Sequence, residues 1–128
     1  MIRVIVPALL LAACTTTAAD ERSDARDRAR LEKALAGLTP GAPVRCVRFD
    51  QVTQTRSFPG TILYVAGRGR MWRNDVVGEC TGLRRDDLIV SRNFGSQYCE
   101  GDQIQTRSRV GGFVSGSCSL GTFTHYTR

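Results

Sequence analysis

The chain has 128 residues, 41% of them hydrophobic, and a formal net charge of +6 from eighteen basic and twelve acidic residues. That length holds one small domain rather than a multidomain enzyme, and a single histidine, His125, leaves a Ser–His or Cys–His enzyme one candidate base. Lys33 is the only lysine, so the arginine excess reads as codon bias more than as selection for guanidinium chemistry.

At the N-terminus Arg3 precedes an apolar run from Val4 to Leu11, closed by Ala12, Ala13 and Cys14. The run is too short to span a bilayer and reads as a cleaved signal peptide over residues 1–13. Leu11-Ala12-Ala13-Cys14 resembles the lipobox of bacterial lipoproteins. The resemblance implies acylation of Cys14, palmitate included, and a mature chain that is anchored to the membrane and does not span it. Thr15 follows, not the Asp associated with inner-membrane retention, which points to the outer membrane and a domain facing the periplasm.

With Cys14 assigned to lipid, Cys46, Cys80, Cys99 and Cys118 remain, and an even count in an oxidising compartment implies two disulfides. A metal site is the weaker reading, because no two of these cysteines have ligand spacing and His125 stands alone; no metal or cofactor is expected. Three pairings are possible. The nested one, Cys46–Cys118 with Cys80–Cys99, is favoured because the first and last strands of small closed sheets are often neighbours. A domain of about 85 residues buries little surface, so cross-links would supply part of its stability.

Residues 14–43 form the lipidated N-terminus and a charged helical tether. Its Ala, Arg, Glu and Leu favour helix, and Leu31, Leu35 and Leu38 recur on one face, so docking is expected only in the last two turns. Gly37, Pro40 and Gly41 read as the stop. From 44 to 128 the composition turns to β-branched and aromatic runs between Gly and Pro, with candidate strands at 44–49, 51–56, 61–66, 70–73, 88–92, 103–109 and 121–126. The expected fold is all-β: a small antiparallel barrel or sandwich of about six to seven short strands. This domain carries twelve Arg against seven acidic residues, which allows an anionic partner without demanding one.

The most distinctive stretch is Gly67-Arg68-Gly69-Arg70-Met71-Trp72-Arg73-Asn74. With Tyr64 in the preceding strand, Arg68, Arg70, Trp72 and Arg73 could form a basic face on which phosphate or sugar rings stack. The competing reading makes Trp72 a core anchor with arginines lying over it. His125 reads as a half-exposed strand residue. The carboxylates Asp86-Asp87 and Glu100-Gly101-Asp102 read as turns rather than a glycosidase pair.

Cys46-Val47-Arg48, Gly69-Arg70-Met71-Trp72-Arg73-Asn74, Cys80-Thr81-Gly82-Leu83, Cys99-Glu100-Gly101-Asp102-Gln103-Ile104 and Cys118-Ser119-Leu120-Gly121-Thr122-Phe123 follow in order. The pattern resembles a family of uncharacterised Gram-negative lipoproteins, a domain of unknown function, over roughly residues 44–123. Asp75 stands where that family has an apolar residue. The resemblance implies an envelope location and a shared disulfide fold, and no activity.

The expectation is a non-enzymatic envelope lipoprotein with a structural or binding role. Its partners would be the membrane through the anchor, and an anionic lipid, lipopolysaccharide, glycan or envelope protein, with nucleic acid excluded for an exported chain. The alternative is a small β-barrel inhibitor of a secreted enzyme, although a basic domain suits a basic lysozyme poorly. A small hydrolase is weaker still.

Overall fold

The computed structural model describes residues 17–128, so the signal-like run and Cys14 lie outside it. Helix α1 spans Ala18–Leu35, with Asp20 and Glu21 in its first turn and Lys33 in its last, where the helix dipole favours each sign. Gly37, at φ +77°, turns the chain out of it. Eleven short strands follow: β1 Thr39–Val44, β2 Cys46–Arg48, β3 Gln54–Phe58, β4 Thr61–Val65, β5 Arg70–Asp75, β6 Val77–Glu79, β7 Leu88–Arg92, β8 Gln97–Cys99, β9 Gln103–Arg107, β10 Val114–Ser119 and β11 Phe123–Thr127. Two 3-10 turns, Phe49–Gln51 and Thr81–Arg85, interrupt the series.

The strands form a five-stranded sheet ordered β1-β11-β5-β4-β3, a four-stranded sheet ordered β6-β10-β9-β7 and the pair β2-β8, all antiparallel. The fold is mostly β with one helix, as expected. The sheets do not close, so the barrel is corrected to a sandwich-like arrangement. Val47, Ile62, Tyr64, Trp72, Leu83, Ile104, Leu120 and Phe123 fill the core between sheets, together with Cys80 and Cys118.

The five-stranded sheet is covered on both faces, and β4 shows why. All five of its residues are buried, so its run Thr-Ile-Leu-Tyr-Val has no polar face to offer. Ile62 and Tyr64 enter the core between sheets, while Leu63, with Phe58 and Met71, meets Leu31, Ala34, Leu35 and Leu38. The helix therefore docks through its last turns and the segment after it. Its first half is not a free stalk, however, because Arg84 Nη1 lies 3.1 Å from Asp24 Oδ1 and 3.8 Å from Asp27 Oδ2.

The sheet begins at Thr39, ahead of the expected start at Val44. Pro40 and Gly41, read as part of the helix stop, sit with Pro43 in β1, which pairs only with β11. An edge strand tolerates residues that cannot donate to the ladder. β10 was also hidden, because Val-Ser-Gly-Ser-Cys-Ser has little apolar content. Its Gly116 faces the Cys80 backbone so closely that a Cβ there would lie 2.8 Å from Cys80 Cα. Close backbone approach thus decides a residue that lowers strand propensity.

Both expected disulfides form, with different partners. Cys46 bonds Cys99, directly opposite it in the β2-β8 pair, and Cys80 bonds Cys118 of β10. The nested pairing, Cys46–Cys118 with Cys80–Cys99, is therefore corrected to a crossed one. Its premise holds for the ends of the sheet, since β1 does pair with β11. But Cys46 follows β1 and Cys118 precedes β11, where the chain has already left for different sheets.

Candidate functional site

The structure separates the residues that the sequence groups into one basic aromatic face. Trp72 is 6% exposed and Tyr64 1%, both within the core. The two rings lie opposite each other in the β4-β5 register and point between the sheets. Neither offers a stacking surface to a ligand, so that part of the proposed face is corrected to core. Trp72 instead stacks on His125, with centroids 4.7 Å apart and planes at 11°. Tyr64 packs against Tyr98 and Phe123 at 5.0 and 5.4 Å.

Two buried polar atoms in this layer, Tyr64 Oη and His125 Nε2, have no hydrogen-bond partner among the described residues. Burial, with the nearby Tyr98 and Asp102, pushes the Tyr64 phenol above the ordinary tyrosine range, so it remains a neutral hydroxyl. Asp102 is itself occupied in accepting the Cys99 N–H at 2.8 Å. The layer is packed rather than open.

The arginines divide. Arg73 shares a face with Leu63 and lies away from the core between sheets. Its Nε donates to Asp75 Oδ1 at 3.0 Å, and Thr61 Oγ1 donates to the same oxygen at 2.8 Å. Burial would lower the Arg73 pKa, but the hydrogen bonds and negative fields of Asp75 and Tyr126 outweigh it and raise it. Arg73 is thus already neutralised within the sheet. Arg68 and Arg70 are exposed on the β4-β5 turn, where Gly67 and Gly69 take positive φ.

A third cation joins them. Arg70 lies opposite Thr127, and the next side chain, Arg128, lies across Gly69, whose Cβ, if present, would be 2.8 Å from Arg128 Nε. Among the described residues Arg68, Arg70 and Arg128 take part in no ion pair. Arg128 carries no motif signal, and only the register of β11 against β5 brings it here. The candidate site is therefore three exposed guanidiniums at one end of the five-stranded sheet.

Position follows from topology. Helix α1 leads into β1, whose Thr39 lies opposite Thr127, so the end of the helix and the arginine cluster share one end of the sheet. The first half of the helix is tied to Arg84, which lines an open cleft of about 390 Å³ with Pro59 and Gly60 of the β3-β4 turn at the opposite end. That cleft also holds Arg85, but Arg84 is paired with Asp24 and Asp27 and Arg85 with Asp87, so its positive charge is spent internally.

No helix among the described residues is long and apolar enough to cross a membrane. Compared with family models, curated proteins and solved structures, the chain matches none.

Proposed function

We propose that this chain is an envelope lipoprotein, anchored through Cys14, whose domain binds an anionic envelope component through Arg68, Arg70 and Arg128. One observation carries the reading. The four domain cysteines form two disulfides with one another, which leaves Cys14, at the end of the signal-like run, as the remaining cysteine. Two cross-links in a small domain fit an exported chain, and the lipobox-like Leu11-Ala12-Ala13-Cys14 gives the odd cysteine a separate chemistry. The resemblance of the motif order to uncharacterised Gram-negative lipoproteins suits the same reading.

The partner class follows from the cluster. Three guanidiniums without internal carboxylates suit phosphate or carboxylate groups. They lie at the end of the sheet opposite the first half of the helix, so phosphate or carboxylate groups presented away from the anchor, as on an acidic glycan, suit them better than the anchoring bilayer. The anchor is tested by Cys14→Ser: palmitate labelling should disappear and the protein should leave the membrane fraction, and unchanged labelling would overturn the reading. Arg68→Gln with Arg70→Gln should abolish salt-sensitive retention on immobilised lipopolysaccharide while leaving the melting temperature nearly unchanged, since contacts of exposed charges are screened by salt and exposed side chains without an ion pair contribute little to stability.

A further inference from the structure

The turn between β9 and β10 has a composition that neither the fold nor the arginine cluster uses. Val110 is 82% exposed and Phe113 61%, and Val114, Leu88 and Val90 are also exposed beside them. Leu88 and Val114 both lie opposite Arg107, so the two flank its side chain on the outer face of the four-stranded sheet, next to the β9-β10 turn that carries Val110 and Phe113. Exposed apolar side chains gathered at one hairpin end, with arginine among them, suit a contact surface.

Part of the turn's backbone is bonded within the turn. Ser108 Oγ donates to Val110 O at 2.7 Å and accepts the Val110 N–H at 3.1 Å. Ser108 N donates to Phe113 O at 2.9 Å, Gly112 N to Ser108 O at 3.1 Å, and Arg107 Nη1 to Gly112 O at 3.2 Å. Peptide groups bonded within the turn need no partner from the medium it meets, and the others at the tip can be hydrated in a head-group layer, which suits shallow contact and not deep insertion.

Charge and position agree on what it meets. Arg107 is in no ion pair among the described residues, while Arg109 flanks the tip, its Nε donating to the Asp86 carbonyl at 2.7 Å and its Nη2 3.9 Å from the exposed Asp86 carboxylate. Apolar side chains bordered by Arg suit a bilayer surface with anionic head groups. Asp86 directly follows the 3-10 turn that carries Arg84, the residue paired with Asp24 and Asp27 of α1. The hairpin therefore stands on the side of the molecule where the first half of the helix is held. Cys14 lies three residues before Thr17, a reach of about 10 Å at full extension.

We infer that the tip of the β9-β10 hairpin, Val110 and Phe113 with Arg107 and Arg109 beside them, beds in the head-group layer of an anionic membrane next to the lipid anchor. The inference rests on the anchor reading for which membrane is met, and not for the contact itself. It gives the domain a fixed orientation: hairpin toward the bilayer, Arg68, Arg70 and Arg128 away from it.

The test uses the full-length protein purified from membranes and reconstituted in vesicles of phosphatidylglycerol and phosphatidylcholine containing brominated acyl chains. Phe113→Trp places an indole at the tip, while native Trp72 in the core serves as the control that bromine should not reach. The introduced indole should be quenched and blue-shifted, and less so in vesicles of phosphatidylcholine alone. Val110→Ser in the same background should lower tip insertion roughly tenfold or more, the worth of one apolar side chain leaving lipid, and Arg109→Gln roughly fivefold. Emission at position 113 that is unchanged by brominated lipid, with the protein still in the vesicle fraction, overturns the inference and leaves the anchor standing. Protein that fails to stay with vesicles overturns the anchor, and quenching on simple mixing then still decides the hairpin. A blue shift without lipid, accompanied by dimers in light scattering, would assign the patch to self-association instead and also overturn the inference.

Discussion

The two larger sheets hold together by different means. The five-stranded sheet is packed on both faces, with Tyr64, Trp72 and Phe123 on one side and Leu63, Met71 and Phe58 under the helix on the other. The four-stranded sheet is packed on one face only and turns Leu88, Val90 and Val114 outward. Its β10 offers little hydrophobic area, yet it carries Cys118, bonded to Cys80, and a polar contact from Ser115 Oγ to Thr106 Oγ1 at 3.0 Å. Apolar burial scales with area, whereas a cross-link acts largely by restricting the unfolded chain. One sheet thus depends on side-chain volume and the other on covalent closure, and the face left uncovered is available for contact.

The largest expected effect breaks the first sheet. Trp72→Ala should cost about 3–5 kcal/mol, because an indole leaves a tightly packed layer shared with His125. Urea denaturation under oxidising conditions measures it. A cost below about 1 kcal/mol would mean that Trp72 is not core and would restore it to the basic face.

Breaking the second sheet should cost somewhat less. Cys80→Ala with Cys118→Ala opens a loop with a sequence separation of 38, worth about 3–4 kcal/mol in the chain-entropy model. Hydrogen exchange should quicken first in β6, β9 and β10 and last in β4 and β5. Uniform loss of protection would show that the two sheets do not differ in this way.

The smallest effect sharpens the comparison inside the shared core. Tyr64 Oη is buried without a partner, so Tyr64→Phe should shift stability by no more than about 1 kcal/mol, in the stabilising direction. The pH dependence is more telling. An unfolded tyrosine ionises near 10.0, while the folded Tyr64 keeps its proton to higher pH. The unfolded state therefore binds fewer protons above that point, and stability is intact below it and lost as pH rises beyond it. Tyr64→Phe should flatten that alkaline loss relative to the parent; an unchanged slope would mean that the phenol is open to water.

Local pattern determined the class of this protein. Alternating and continuous apolar runs between Gly and Pro announced β4, β5, β7, β9 and β11. Pro59-Gly60 joins β3 to β4, and Gly60 takes the positive φ, +71°, that such a turn requires. The Leu31, Leu35, Leu38 stripe announced the docked end of the helix. These signals depend on residues near one another in the chain, where spacing alone sets which face a side chain takes.

What crosses the chain was decided only in the tertiary structure. β1, β6, β8 and β10 are too short, too rich in Pro or Gly or too polar to stand out, and they exist because a neighbouring strand completes their hydrogen bonds. The crossed disulfides follow from which sheet each cysteine enters. Asn74 and Gly121 lie 47 residues apart and clasp each other, side-chain amide to backbone, at 2.8 and 2.9 Å. The arginine cluster belongs with these. Arg70 and Trp72 are two residues apart on one face of β5, yet one is exposed at the sheet's end and the other buried beneath it, and Arg128 joins from the opposite end of the chain. Sequence spacing gives the face a residue takes on a strand; how far along that face the covering sheet extends is set by packing, and it is packing that made Trp72 core and left the guanidiniums outside.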